Sequence, residues 1–137
     1  MPSAAEHLLA AQAAAGRPLR FDEFMGEALY GAGGFYATGG QAGRRGDFLT
    51  SPEVGPLFGA VLARFLDAEF ERLGRPDDFL IVEAGVGPGT LARSIVAAAP
   101  HLAERYVAVE VSDAQRALHP AGVRSARTLP DDPFEGL

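Results

Sequence analysis

Two carboxylates and three glycines carry most of the chemistry this sequence can offer. Glu83-Ala84-Gly85-Val86-Gly87-Pro88-Gly89 comes directly after the apolar run Phe79-Leu80-Ile81-Val82 and leads into Thr90-Leu91-Ala92-Arg93. An apolar run, a glycine turn and a helix-forming segment make the first half of a nucleotide-type βαβ unit. A second apolar run, Tyr106-Val107-Ala108-Val109, ends in Glu110, 21 residues after Gly89. An acid at that distance, at the end of the second strand, is placed to accept hydrogen bonds from the two hydroxyls of a ribose.

The turn itself separates two cofactors. A dinucleotide fingerprint reads G-x-G-x-x-G, whereas here the third glycine comes one place early, at Gly89, with Thr90 where that pattern wants glycine. Glu83 also stands two residues before the first glycine. Its charge repels a pyrophosphate and attracts the ammonium and sulfonium of S-adenosylmethionine (SAM). The E-x-G-x-G-x-G form therefore favours SAM over NAD as the expected cofactor. Glycine lets the backbone approach a ligand closely, and the N–H groups at the helix start suit a carboxylate. Plainer readings exist: the glycines could be a ligand-free turn, Glu83 could pair with an arginine, and Glu110 could be a solvated strand end.

The elements that would hold these groups are set by periodicity and capping. Ser3-Ala4-Ala5-Glu6 has the spacing of a capping box, and Gly16 with Pro18 supplies a stop, which predicts a helix over 4–15. Phe21, Phe24, Met25, Ala28 and Leu29 recur at helical spacing and predict a second helix to Tyr30. Residues 31–46 hold seven glycines, so a mobile loop or a hairpin is expected, with Phe35-Tyr36-Ala37-Thr38 opposite Phe48-Leu49-Thr50. Ser51 is a good N-cap with Pro52 and Glu53 behind it, opening a helix to Leu73. Leu57, Phe58, Val61, Leu62, Phe65 and Leu66 share one side of it. Strands are expected at 79–83 and 106–111, with a helix from Thr90 to Ala99 between them. Ser112 to Gln115 is a second capping box, and Val123 to Arg127 reads as a third strand.

The fold class is α/β: an N-terminal helical region with a glycine-rich loop over residues 1–76, then the first part of a Rossmann-like sheet over 77–137. A doubly wound sheet needs more strands than these to bury both faces. The expected domain is incomplete, and self-association through its open edge is expected with it. The 47% apolar content suffices for a core, and the absence of cysteine excludes disulfides and thiolate chemistry. Net charge is −6, and the twelve basic residues, all arginine, are scattered, which argues against a nucleic-acid face. No apolar run reaches the roughly 18 residues of a membrane span, and Met1 to Ala15 lacks a basic start. The expectation is a soluble protein of cytoplasmic type.

The rest of the chain resembles one family. Phe21-Asp22-Glu23-Phe24-Met25, Gly34-Phe35-Tyr36 and above all Gly46-Asp47-Phe48-Leu49-Thr50-Ser51-Pro52-Glu53-Val54 carry the likeness. The glycine turn and Val109-Glu110-Val111-Ser112 complete it. On these residues the chain is similar to the MidA-like class I SAM-dependent methyltransferases over about residues 20–130. The resemblance implies a SAM cofactor, a protein substrate and direct methyl transfer. Arginine is the acceptor of the family's mitochondrial members. It also places Thr50, Ser51 and Glu53 beside the cofactor, although turn closure and helix capping explain Asp47 and Ser51 as well.

Other residues carry less. Arg44 and Arg45 read as solvated loop residues, and Phe35 and Tyr36 as loop anchors whose faces would suit a sulfonium. His7, His101 and His119 show no metal-ligand spacing, so no metal is expected. The alternatives are a non-catalytic assembly module that keeps the fold and, less well supported by the turn, an NAD(P)-linked oxidoreductase.

Overall fold

The computed structural model of the chain describes residues 3–38, 40, 46 and 48–137. The chain opens with α1 (Ala4–Ala15), capped as its sequence demands. Ser3 Oγ accepts from the Glu6 N–H at 3.3 Å and the Glu6 carboxylate accepts from the Ser3 N–H at 2.6 Å. Next comes α2 (Phe21–Tyr30), where the Glu23 carboxylate accepts from the Arg20 N–H at 2.8 Å. Neither helix contains a buried residue.

Over its described part the glycine-rich stretch does not form the expected hairpin. Residues Phe35–Thr38 lie in turns rather than in a hairpin strand. They are tied to α2 by the Phe35 and Tyr36 N–H groups, which donate to the Ala28 and Leu29 carbonyls at 2.9 and 2.8 Å. Phe35 stacks on Phe48, ring centroids 6.4 Å apart. Arg44, Arg45 and Asp47 lie outside the described residues.

The single helix expected from Ser51 to Leu73 is two. A short α3 (Ser51–Val54) is followed by α4 (Leu57–Arg72). Gly55, with φ 165° and ψ 176°, extends the backbone between them, and Pro56 at φ −72° and ψ −11° caps α4. Thr50, one residue earlier than expected, sits at the cap position of α3. The buried face of α4 is Gly59, Ala63, Leu66 and Phe70, with Leu62 partly buried against the core, so of the expected stripe only Leu62 and Leu66 turn inward. Leu57, Phe58, Val61 and Phe65 are all exposed. The reason is close approach: a Cβ on Gly59 would stand 2.3 Å from the Ser94 Cβ. Small residues at 59 and 63 let the neighbouring helix come near, and that turns their side inward.

That neighbour is α5 (Thr90–Ala98), which comes after β1 (Ile81–Ala84) and the glycine turn. A 3₁₀ segment, Pro100–Arg105, leads into β2 (Tyr106–Val109); then come α6 (Asp113–Arg116) and β3 (Arg124–Ala126). The sheet is parallel, in the order β1-β2-β3, with Ile81 opposite Tyr106 and Val107 opposite Arg124. On the free edge of β1 the chain's last residues take up the neighbouring position. Leu80 N–H donates to Glu135 O and Val82 N–H to Leu137 O, both at 2.8 Å, and Leu80 bridges Gly136 in parallel. The chain therefore steps outward from β1 to β3 and then returns to the opposite side of β1. That reversal opens a crevice beyond the carboxyl end of β1.

The core lies between this sheet and the α4–α5 pair. Phe79, Ala92, Leu102 and Ala108 are fully buried and Ile95 and Tyr106 nearly so. Phe70 and Phe79 pack with ring centroids 5.0 Å apart.

Candidate functional site

The crevice is a cavity of about 340 Å³ at the carboxyl ends of β1 and β2. Its floor is the glycine turn. Gly85, Gly87 and Gly89 have φ values of 71°, 57° and 82°, a region that side-chain-bearing residues enter only at a cost. A Cβ on Gly85 or Gly87 would meet nothing within 4 Å, so both face open space. Gly89 is different: a Cβ there would lie 2.9 Å from Pro120 Cδ. The third glycine makes room for the protein's own chain rather than for a ligand.

The two carboxylates are held by defined donors. Glu110, buried at the end of β2, accepts from the Gly87 N–H at 3.0 Å through Oε2 and from the Ser112 N–H at 2.8 Å through Oε1. Each carboxylate oxygen keeps further lone pairs for a ligand's hydroxyls. Glu83 accepts from the Tyr106 hydroxyl at 2.6 Å, not from an arginine. Burial pushes the Glu83 carboxyl above its ordinary value, and the Tyr106 hydrogen bond opposes that shift. Burial, reinforced by the charge of Glu83, pushes the Tyr106 hydroxyl well above its own range, so it stays a neutral donor.

Across the cavity stand residues from the N-terminal half. Tyr30, Tyr36, Thr50 and Glu53 line it together with Glu83, Gly85, Gly87 and Glu110. Tyr30 stacks on Tyr36 at 5.4 Å. Burial first, and then the Glu110 charge, push the Tyr30 hydroxyl above its ordinary value. Three carboxylates, Glu53, Glu83 and Glu110, thus face one cavity, and no basic side chain lines it among the described residues. The amides of the turn are engaged too: the Gly85 and Val86 N–H groups donate to the Val109 carbonyl at 2.9 and 3.2 Å.

The structure therefore gathers most of the residues that the sequence singles out. Ser51 and Gly89 do not line the cavity; Ser51 faces a separate apolar hollow beside Val54, Leu57 and Val61. Two wall residues escape sequence reasoning. Tyr30 reads only as a helix end. Gln115 reads as a capping residue, and its N–H does donate to Ser112 Oγ at 3.4 Å, but its side-chain amide donates to the Gly40 carbonyl at 2.8 Å. Together with Ser112 Oγ, which donates to the Tyr36 carbonyl at 2.9 Å, it pins the glycine-rich stretch over the site. The Gln115 Oε1 is buried with no hydrogen-bond partner among the described residues. No cluster of three His, Asp or Glu side chains fit for a metal occurs among the described residues.

Known proteins resemble this chain. The chain is 33% identical over 126 residues to the protein arginine methyltransferase NDUFAF7 homolog, mitochondrial, of Drosophila melanogaster, a match covering 84% of this chain and 28% of that protein. It is 38% identical over 80 residues to the human protein arginine methyltransferase NDUFAF7, mitochondrial, covering 58% of this chain and 18% of the relative. A likely methyl transferase from Burkholderia thailandensis, solved bound to S-adenosyl-homocysteine, superposes with a TM-score of 0.73 and 32% identity, over 93% of this chain and 37% of that one. No family model matches the chain.

The expectation of a cytoplasmic protein is overturned, because the fly and human relatives are both named mitochondrial. No described helix is long and apolar enough to cross a membrane, but that feature and bulk composition carry no organelle address, so they could not decide the compartment. Sequence relatives, superposition and the strand–turn–helix geometry agree: the chain belongs to the MidA-like class I methyltransferase family, of which it carries a part.

Proposed function

We propose that the cavity binds S-adenosylmethionine and that the protein of which this fold is part transfers its methyl group to a protein acceptor, arginine being the acceptor class of the named relatives. The observation that carries this reading is the charge of the lining: three carboxylates and, among the described residues, no cation. SAM brings an electrophilic methyl on a sulfonium, an ammonium and one carboxylate, a net cation. NAD brings a pyrophosphate, which this lining repels, and the Gly85, Val86 and Gly87 amides that would cradle it are already engaged.

Position suggests the remaining roles. Glu110 holds the ribose hydroxyls while the Gly87 and Ser112 N–H groups fix its orientation. Glu83, steadied by Tyr106, faces the cationic end of the ligand. The exposed Cα faces of Gly85 and Gly87 let the ligand lie against the backbone. Thr50 and Glu53 close the opposite wall, with Glu53 the carboxylate able to hold a guanidinium. Aligning donor and acceptor while excluding water is worth on the order of 7–11 kcal/mol of barrier in such displacements.

A non-catalytic binding module is the second reading, favoured by one observation. Two of the three carboxylates are already engaged by the protein's own donors, leaving Glu53 to do the acceptor's proton chemistry. One experiment separates the readings. The chain has no tryptophan, so its fluorescence comes from Tyr30, Tyr36 and Tyr106, the first two lining the cavity and the third bonded to Glu83. Saturable quenching by SAM, with methylarginine formed on arginine peptides detected by mass, supports transfer. Quenching without methylarginine supports the binding module, and no saturation at millimolar SAM contradicts both.

A further inference from the structure

We infer that His119 is a positioning residue for the glycine turn, a role that rests on reading the cavity as a nucleoside site. His119 lies past the end of α6 and does not line the cavity. Its Nε2 is 3.0 Å from the Gly87 carbonyl oxygen, and its Nδ1 is 2.9 Å from Ser125 Oγ on β3. A carbonyl can only accept, so Nε2 carries the proton and Nδ1 accepts from the serine hydroxyl. The ring is thereby a strut between β3 and the middle of the turn.

What the strut holds is the residue whose amide meets the acid of the site, gripped through the peptide planes on either side of it. The Gly87 N–H donates to Glu110, and the Gly87 carbonyl accepts from His119. A residue free to adopt many backbone conformations is thus gripped on both sides, by the group that faces the ribose and by His119. Gly87 has φ of 57° and a Cβ built on it would meet nothing within 4 Å, so no described contact on that side helps to fix its backbone. The segment bearing the strut is itself seated on the turn. Pro120 Cδ lies 2.9 Å and His119 Cα 3.5 Å from where a Gly89 Cβ would be, and Arg93 ties the Leu118 and Pro88 carbonyls together at 2.8 and 2.9 Å. The third glycine of the motif therefore exists to let this strut dock, and the strut keeps the second glycine's amide aimed at Glu110.

The test uses the 137-residue chain and three variants. Exchange of the Gly87 amide hydrogen is read by NMR without ligand, and S-adenosyl-homocysteine affinity by calorimetry. His119→Ala speeds Gly87 exchange and weakens binding, each by about fivefold, the worth of one neutral hydrogen bond. His119→Gln, whose amide nitrogen can take the place of Nε2, restores both to within about twofold of the parent chain, which a merely space-filling role would not do. Ser125→Ala leaves the ring but frees its tautomer and gives a smaller loss in the same direction, which decides the matter should His119→Ala not fold. Unchanged Gly87 exchange in His119→Ala, or in Ser125→Ala where His119→Ala does not fold, overturns the inference. So does a folded His119→Gln that behaves like alanine. If the parent chain binds no S-adenosyl-homocysteine, the nucleoside reading fails, and the exchange measurement still decides what His119 does.

Discussion

The two halves of this molecule are built by different means. From Phe79 to Ala126 the chain is organised around burial: all four residues of β2 are buried, and Phe79 and Leu102 are fully enclosed. From Ser3 to Val54 it is organised around local bonds. There α1, α2 and α3 bury no residue, and caps, turns and the Tyr30–Tyr36 stack hold most of the backbone, with Ser112 and Gln115 holding Tyr36 and Gly40 from the other half. The cavity runs along the seam, with Glu83, Gly85, Gly87 and Glu110 from one half and Tyr30, Tyr36, Thr50 and Glu53 from the other. A rigid floor and a weakly anchored wall suit a site that must hold one ligand firmly and still admit a second.

The sharpest way to break this contrast is to cut a large aromatic from each half. Phe79→Ala removes a fully buried ring packed on Phe70 and is expected to cost about 3–5 kcal/mol in denaturant unfolding. Phe21→Ala removes a ring that is 78% exposed and is expected to change stability by no more than about 0.5 kcal/mol. Equal losses would mean that the N-terminal helices carry as much of the fold as the sheet. At the seam, Glu110→Ala removes the carboxylate that binds the Gly87 and Ser112 amides. It should weaken S-adenosyl-homocysteine binding by about 1–3 kcal/mol, measured by calorimetry. Unaltered affinity would remove Glu110 from the ribose role.

Much of this was legible in the sequence, and the failures share a cause. Capping boxes and glycine punctuation are local chemistry, so α1, α2 and the strand–turn–helix at 81–98 stand where spacing puts them. The buried face of α4 was legible only at Leu62 and Leu66. Leu57, Phe58, Val61 and Phe65 have the periodicity of a core stripe, yet α5 selects the side with Gly59 and Ala63, and only the partner's shape decides that. The same holds for Gly89, whose neighbour Pro120 is remote in sequence, and for Gln115, whose bond to Gly40 spans the site. The cavity floor and its acid, from Gly85 to Glu110, come from one βαβ unit, where local order and spatial order coincide.

Two finer tests sharpen the comparison. Burial holds the Glu83 carboxyl above its ordinary value of 4.5, so the fold favours its neutral form. Its stabilising contribution is complete below 4.5 and is lost as pH rises through the raised native value. Glu83→Gln should therefore flatten the decline in stability above pH 4.5, read by denaturant unfolding across pH. A parallel decline in both proteins would mean that Glu83 is not the group responsible. Smallest is Ser3→Ala, which removes the α1 cap. Because α1 buries nothing, the expected effect is faster amide exchange within its first turn, with about 0.5–1 kcal/mol of local helix stability lost and the global transition unmoved. A shift of the global transition would tie α1 to the core.

The charge of the cavity is the centre of the account, and calorimetry with two ligands on the same protein tests it most directly. S-adenosyl-homocysteine and NAD share an adenosine moiety but differ in the group it carries, an amino acid in one and a pyrophosphate in the other. With Glu53, Glu83 and Glu110 facing the ligand and no cation among the described lining residues, S-adenosyl-homocysteine should bind at least about tenfold more tightly, a margin of roughly 1.4 kcal/mol. NAD binding as tightly or more tightly would contradict the account.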